Sequence, residues 1–155
     1  MIETSAEEVA RSHRWHAVQC NNAAWSLSEL AARTAHQDAE MLDAAHAAAF
    51  HWSKVGSELQ VIRAKMLLGH VHASLGHGEL ALRYATESYD SLAAQQTPDW
   101  ELALAHAVLA HAAFAAAARD LQREHYAVAR ALGQAIADPE DKQIFFNTFN
   151  RIPGP

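Results

Sequence analysis

Apolar and small side chains recur along this chain in alternating steps of three and four, the spacing that gathers them on one face of a helix. Polar punctuation divides the pattern into seven helices. Ser5 with Glu8 three residues later forms a capping-box signature, because hydroxyl and carboxylate can satisfy orphan amides at a helix start. Helix one is expected to run to about Arg33, with Val9, His13, His16, Cys20, Ala24, Leu27 and Ala31 facing inward. Thr34 and Gln37 repeat the signature for helix two, whose inward face is read as Ala39, Leu42, His46, Ala49 and Ser53 and which ends near Gly56. Ser57 and Gln60 start helix three; a corner at Gly76 to Gly78 separates it from helix four, which ends around Gln96. Thr97-Pro98 starts helix five, since proline at the first helical position loses no hydrogen bond. Helix six follows a break near Arg119 and Asp120. Asp138-Pro139-Glu140-Asp141 starts helix seven, with carboxylates at the positive end of its dipole.

The starts carry a period. Pro98 and Pro139 stand 41 residues apart, and the same shift takes Gly69 to Ala110, Val71 to Ala112, Gly76 to Ala117 and Ser88 to Ala129. Small residues fall on small residues, as close helix crossings require. The expectation is one all-α domain over residues 1–155: hairpins at about 5–56, 57–96 and 97–137, then a capping helix at about 138–150. That last helix carries Ile144, Phe145, Phe146, Phe149 and Ile152, which either pack on the preceding hairpin or form a homodimer contact.

Within Lys65 to Ser88, the Leu68-Gly69 pair, Gly76, the Ala81-Leu82 pair and Tyr84 resemble the tetratricopeptide repeat. Lys65, His72, Ala85 and Ala93 stand where the motif usually has Trp, Tyr, Phe and Pro. The resemblance implies a right-handed, tetratricopeptide-like stack of antiparallel hairpins whose first helices line a concave groove. Carried onto this chain, the groove positions are Arg63, Met66, His70 and Ser74, then Leu104, Ala107, His111, Phe114 and Ala115. Members that bind chaperones place Lys, Asn and Arg there; this set implies a mixed apolar and mildly anionic ligand such as a peptide segment. The stretches Asn21-Asn22-Ala23-Ala24-Trp25, Ala45 to Trp52 and Ile136 to Asp141 also resemble a group of small bacterial proteins with the patterns NNxxW, AHAxxxHW and IADPED. That match implies a bacterial source and no particular chemistry.

Charge and composition narrow the partners. With a formal net charge of −6 and no Lys/Arg block, the chain's long-range field repels a phosphate backbone, so nucleic acid is not an expected partner. The single cysteine, Cys20, has no internal disulfide partner. Met1 to Glu8 lacks the charged-then-apolar order of a signal sequence, and the apolar tract Leu102 to Ala118 contains two histidines, so a soluble cytoplasmic protein without a membrane span is expected.

Eleven histidines are the unusual feature. If helices one and two are antiparallel about a corner near Thr34, residues whose numbers sum to roughly 68 lie level. His16 then neighbours His51 or Trp52, and Asn22 neighbours His46. A cluster of His13, His16, His46 and His51 with Asp43 or Glu40 is the candidate metal site, and it supports the alternative reading of a metal-dependent or small-molecule enzyme. His46 and His51 lie about 140° apart around a helix, which opposes a shared ion. No nucleophile, phosphate loop or carboxylate pair stands out, so no catalysis and no cofactor are expected, and the leading reading is a protein or peptide interaction module. Protonating all eleven imidazoles would move the formal charge from −6 to +5, so inward-facing histidines predict a loss of stability in mild acid.

Overall fold

Hydroxyls start the first three helices. Ser5, Thr34 and Ser57 each accept from the amide three residues on, while Glu8, Gln37 and Gln60 reach back to the cap amide. Asp138 accepts from the amides of Glu140 and Asp141, with Pro139 in the first turn. The computed structural model describes residues 5–155; Met1 to Thr4, half of the acidic segment read above for a leader, lie outside the described residues.

Among the described residues there are seven helices: α1 (Ala6–Ser28), α2 (Ala35–Val55), α3 (Glu58–Ser74), α4 (Gly78–Ala93), α5 (Asp99–Ala115), α6 (Arg119–Gln134) and α7 (Pro139–Phe149). The protein is all-α. Successive helices pack as the hairpins α1–α2, α3–α4 and α5–α6, and α7 closes the stack on α5 and α6. No helix among the described residues is long and apolar enough to cross a membrane.

The repeat is visible in the backbone. α3 and α5 begin at Glu58 and Asp99, and α4 and α6 at Gly78 and Arg119, each pair 41 residues apart. The corners match: Gly76 has φ +77° and Ala117 has φ +58°. His77 N–H donates to His72 C=O at 2.9 Å, and Ala118 N–H to Ala113 C=O at 2.8 Å, which closes the two helix ends in the same way. Only the second corner puts a Cβ in the left-handed region, at a cost of about 1 kcal/mol. Small residues permit the crossings. A Cβ on Gly69 would sit 2.9 Å from the Ala85 amide nitrogen across α3–α4, and one on Gly133 would sit 2.1 Å from Phe145 Cε1 across α6–α7.

Several expected boundaries shift. α1 stops at Ser28 rather than about Arg33, because the extended cap at Thr34 requires the chain to reverse before it, and the Arg33–Asp38 pair at 2.6 Å fastens that turn to α2. α4 stops at Ala93 rather than about Gln96: Ala94 caps it, and the Gln95 N–H turns back to Leu92 C=O at 3.3 Å to close the end. Pro98 is the cap of α5 and not its first residue. The break before α6 is at Ala116 to Ala118, and Arg119 is already helical.

The inward faces of the first hairpin are also rotated. α1 buries Ala17, Ala24 and Ser28 and leaves Val9 and His16 exposed, and Ala31 falls beyond its end, also exposed; α2 buries Met41, Ala45, Ala48 and Trp52, and leaves Ala39, His46 and Ser53 exposed. Two stripes compete on each of these alanine-rich helices, and the one holding Met41 and Trp52 removes more apolar area from water. Cys20 is half-buried against the Ala17, Ala48, Trp52 and Ala64 cluster. Phe145 and Phe149 of α7, with Ile152 just after it, pack with Ala103, Ala107, Ala129 and Ile136, leaving Ile144 exposed.

Candidate functional site

Odd-numbered helices lie side by side in one direction, as the contacts between them show. Trp25 of α1 stacks on His70 of α3 at 5.0 Å, Arg63 of α3 pairs with Glu101 of α5, and His70 meets His111 of α5 with ring centroids 5.5 Å apart. The C-terminal part of α1, the N-terminal halves of α3 and α5, and α7 line one cavity; the end of α1 with the turn after it, the C-terminal halves of α3 and α5, and the residues after α7 line a second. The groove positions carried over from the repeat divide between the two. Arg63, Met66 and Leu104 line the first; His70, Ser74, His111, Phe114 and Ala115 line the second. Ala107 is fully buried in the core beneath α7.

The first cavity, about 440 Å³, has Trp25 and Trp100 on its walls, with Met66, Leu104, Ile144 and Phe145 beside them. Beneath it Glu101, with no exposed surface, accepts from Arg63 Nε at 2.5 Å and from Nη2 at 3.2 Å. The bidentate geometry raises the Arg63 pKa, chiefly through that hydrogen bond and against the effect of burial. Arg63 also lies 5.7 Å from the Trp100 ring centroid. Its charge is already matched, so this end does not offer the free arginine expected for an anionic ligand. The other charged residues on the wall are Glu29 and Asp141, which leaves the first cavity aromatic and acidic.

The second cavity, about 610 Å³, has the opposite sign. Arg33 and Arg151 stand on its wall with His70 and His111, and no carboxylate joins them. Burial, then His111, then Arg33 lower the His70 pKa to about 3; burial and then Arg33 lower that of His111 to about 4. Both rings are neutral at pH 7.

Ten of the eleven histidines touch another histidine, leaving His36 alone among the described residues. His13 and His51 approach Nδ1 to Nδ1 at 2.7 Å, with His16 stacked on His51 at 5.2 Å, as the antiparallel register predicts. His46 does not join them. It turns to His72, Nε2 to Nε2 at 3.2 Å, and His72 continues to His77, Nδ1 to Nδ1 at 3.0 Å. The candidate metal set is therefore split between two interfaces, because α2 presents His46 toward α3 and His51 toward α1. No group of three or more His, Cys, Asp or Glu side chains among the described residues is arranged to hold a metal ion. His106 and His125 pair at 2.8 Å beside Tyr89.

Trp25, Trp100, Arg33, Phe145 and Thr148 were missing from the sequence-derived groove. The signal for four of them was the period itself: Met66 and Ser74 lie 41 residues after Trp25 and Arg33, and Leu104 and Ala107 lie 41 before Phe145 and Thr148. Compared with protein-family models, with curated proteins and with solved structures, the chain finds no match.

Proposed function

We propose that this chain is a tetratricopeptide-like interaction module that receives an extended protein or peptide segment along the groove of its odd-numbered helices. The observation that carries the reading is the first cavity, where Trp25 and Trp100 stand on a wall shared with Ile144, the one large apolar side chain of α7 left exposed. Aromatic walls with a few fixed polar groups are the usual make-up of a recognition pocket, and tryptophans are frequent anchors. Because Arg63 is matched by Glu101 while Glu29 and Asp141 have no basic partner among the described residues, the fitting occupant places a large apolar side chain here with a lysine or arginine next to it.

Panning of displayed random peptides on the purified chain tests this. Enriched sequences should carry an aromatic or large aliphatic residue beside a basic one, and their binding should fall at least tenfold with Trp100→Ala or Asp141→Lys in variants that melt as the parent does. Absence of enrichment over a Trp25→Ala/Trp100→Ala control would overturn it.

A further inference from the structure

The second cavity contains two side chains whose hydrogen-bonding capacity is unspent. His70 and His111 are 3% and 7% exposed, and Nδ1 of each is sealed without a partner. A buried N–H without an acceptor costs more than a buried lone pair without a donor, so we assign the proton of each neutral ring to Nε2, the ring nitrogen that is not sealed. The wall therefore supplies two N–H donors from elements that cross it side by side. The hydroxyls nearby are already used: Ser28 Oγ donates to Trp25 C=O at 2.7 Å and Ser74 Oγ to His70 C=O at 2.9 Å.

Two guanidiniums complete the set. Arg33 is held by Asp38 through Nε alone, at 2.6 Å, so its terminal amino groups remain without a partner among the described residues. Arg151 is exposed and pairs with no carboxylate among the described residues. Donors without acceptors, the unpaired charge of Arg151 beside an Arg33 whose charge Asp38 already matches, and a volume of about 610 Å³ define the chemistry of what fits. We infer that the second cavity is an oxyanion subsite, taking a carboxylate or phosphate group on Nε2–H of His70 and His111 and on the guanidiniums of Arg33 and Arg151. It rests on the groove reading only in that the group belongs to the segment bound along the odd-numbered helices. Neutral imidazoles suit this role because they donate without adding like charge beside two arginines.

The subsite is tested without any peptide. Inorganic phosphate and acetate are titrated separately into the full chain at neutral pH and constant ionic strength, with chloride as the control anion, following the ring carbons and protons of histidine by NMR. The expected result is saturable movement of the His70 and His111 signals, with those of His36 still, and affinity at least fivefold weaker in Arg151→Gln, a surface change that leaves the core untouched. Arg33→Gln should weaken it similarly. A response to phosphate alone assigns a phosphorylated ligand, and a response to acetate alone or to both assigns a carboxylate. No saturable movement with either anion, an equal response to chloride, or unchanged affinity in both arginine variants overturns the subsite. Peptides that bind through Trp25 and Trp100 while both anions fail would leave the groove standing and remove the subsite; anion binding with no peptide enrichment would do the reverse.

Discussion

Acidification should unfold this protein within a narrow interval, and the histidine pairs set where. His70, His72, His106 and His111 are each less than a tenth exposed. Burial is the main cause of their depressed pKa values, about 3 for His70 and about 4 for the other three; neighbouring imidazoles or arginines act in the same direction. In an unfolded chain the same rings titrate near 6.5. Between about pH 6.5 and about pH 4 the unfolded state thus holds protons that the folded state lacks, so stability is full above that window and is lost as pH falls through it. At about pH 5 the difference amounts to a factor of roughly 30 per ring, or about 2 kcal/mol, and about 8 kcal/mol for the four. His125 is left out of the sum, because the Nδ1 contact of His106 and His125 at 2.8 Å survives one added proton and not two. A domain of this size has a total stability of about 5–15 kcal/mol, which puts the acid midpoint near pH 5.

Circular dichroism melts at constant salt, from about pH 8 downward, read this directly. At about pH 5.5 the loss is about 5 kcal/mol, or roughly 10–20 °C in Tm. Urea unfolding at the same pH should take up about four protons. A melting temperature that is flat from about pH 7.5 to about pH 5.5, or an uptake below about one proton, would refute the reasoning.

Three further outcomes follow from packing. Arg63→Ala strands the fully buried Glu101 carboxylate and should cost about 3 kcal/mol in urea unfolding, whereas Glu101→Gln leaves a guanidinium whose side chain is 38% exposed and should cost nearer 1 kcal/mol. Gly133→Ala drives a Cβ into the Phe145 ring and should destabilise by about 1–3 kcal/mol, with early loss of hydrogen-exchange protection in α7. Ala117→Gly relieves the left-handed corner and should raise stability by about 0.5–1 kcal/mol, while Gly76→Ala at the matching corner should lower it by a similar amount.

Much of the fold was legible in the sequence because its signals are local and chemical. Hydroxyl–carboxamide and hydroxyl–carboxylate pairs marked three helix starts, Asp138-Pro139 marked another, and the 41-residue shift that aligned Gly76 with Ala117 reappears as two left-handed corners. The faces of α1 and α2 were not legible, since alanine on neighbouring stripes gives a three-four spacing no single answer; Met41 and Trp52 decided it through contacts distant in sequence. The walls of the two cavities were half legible. Met66, His70 and His111 came from the repeat, but the role of Arg63 depends on Glu101, which lies 38 residues away and carries no local mark of its burial. Arg151 joins the second cavity only because the chain after α7 folds back, with Gln122 Nε2 donating to Pro153 C=O at 3.0 Å.

His72 links two surface positions that share no contact of their own. A neutral imidazole has one proton and one lone pair, so His72 must donate at one nitrogen and accept at the other. If it donates to His46, then His46 and His77 both carry their protons on Nδ1; if it donates to His77, both carry them on Nε2. The two exposed rings are thereby locked to the same tautomer through a buried third, and a group that fixes the state of His46 on α2 dictates that of His77 at the α3–α4 corner.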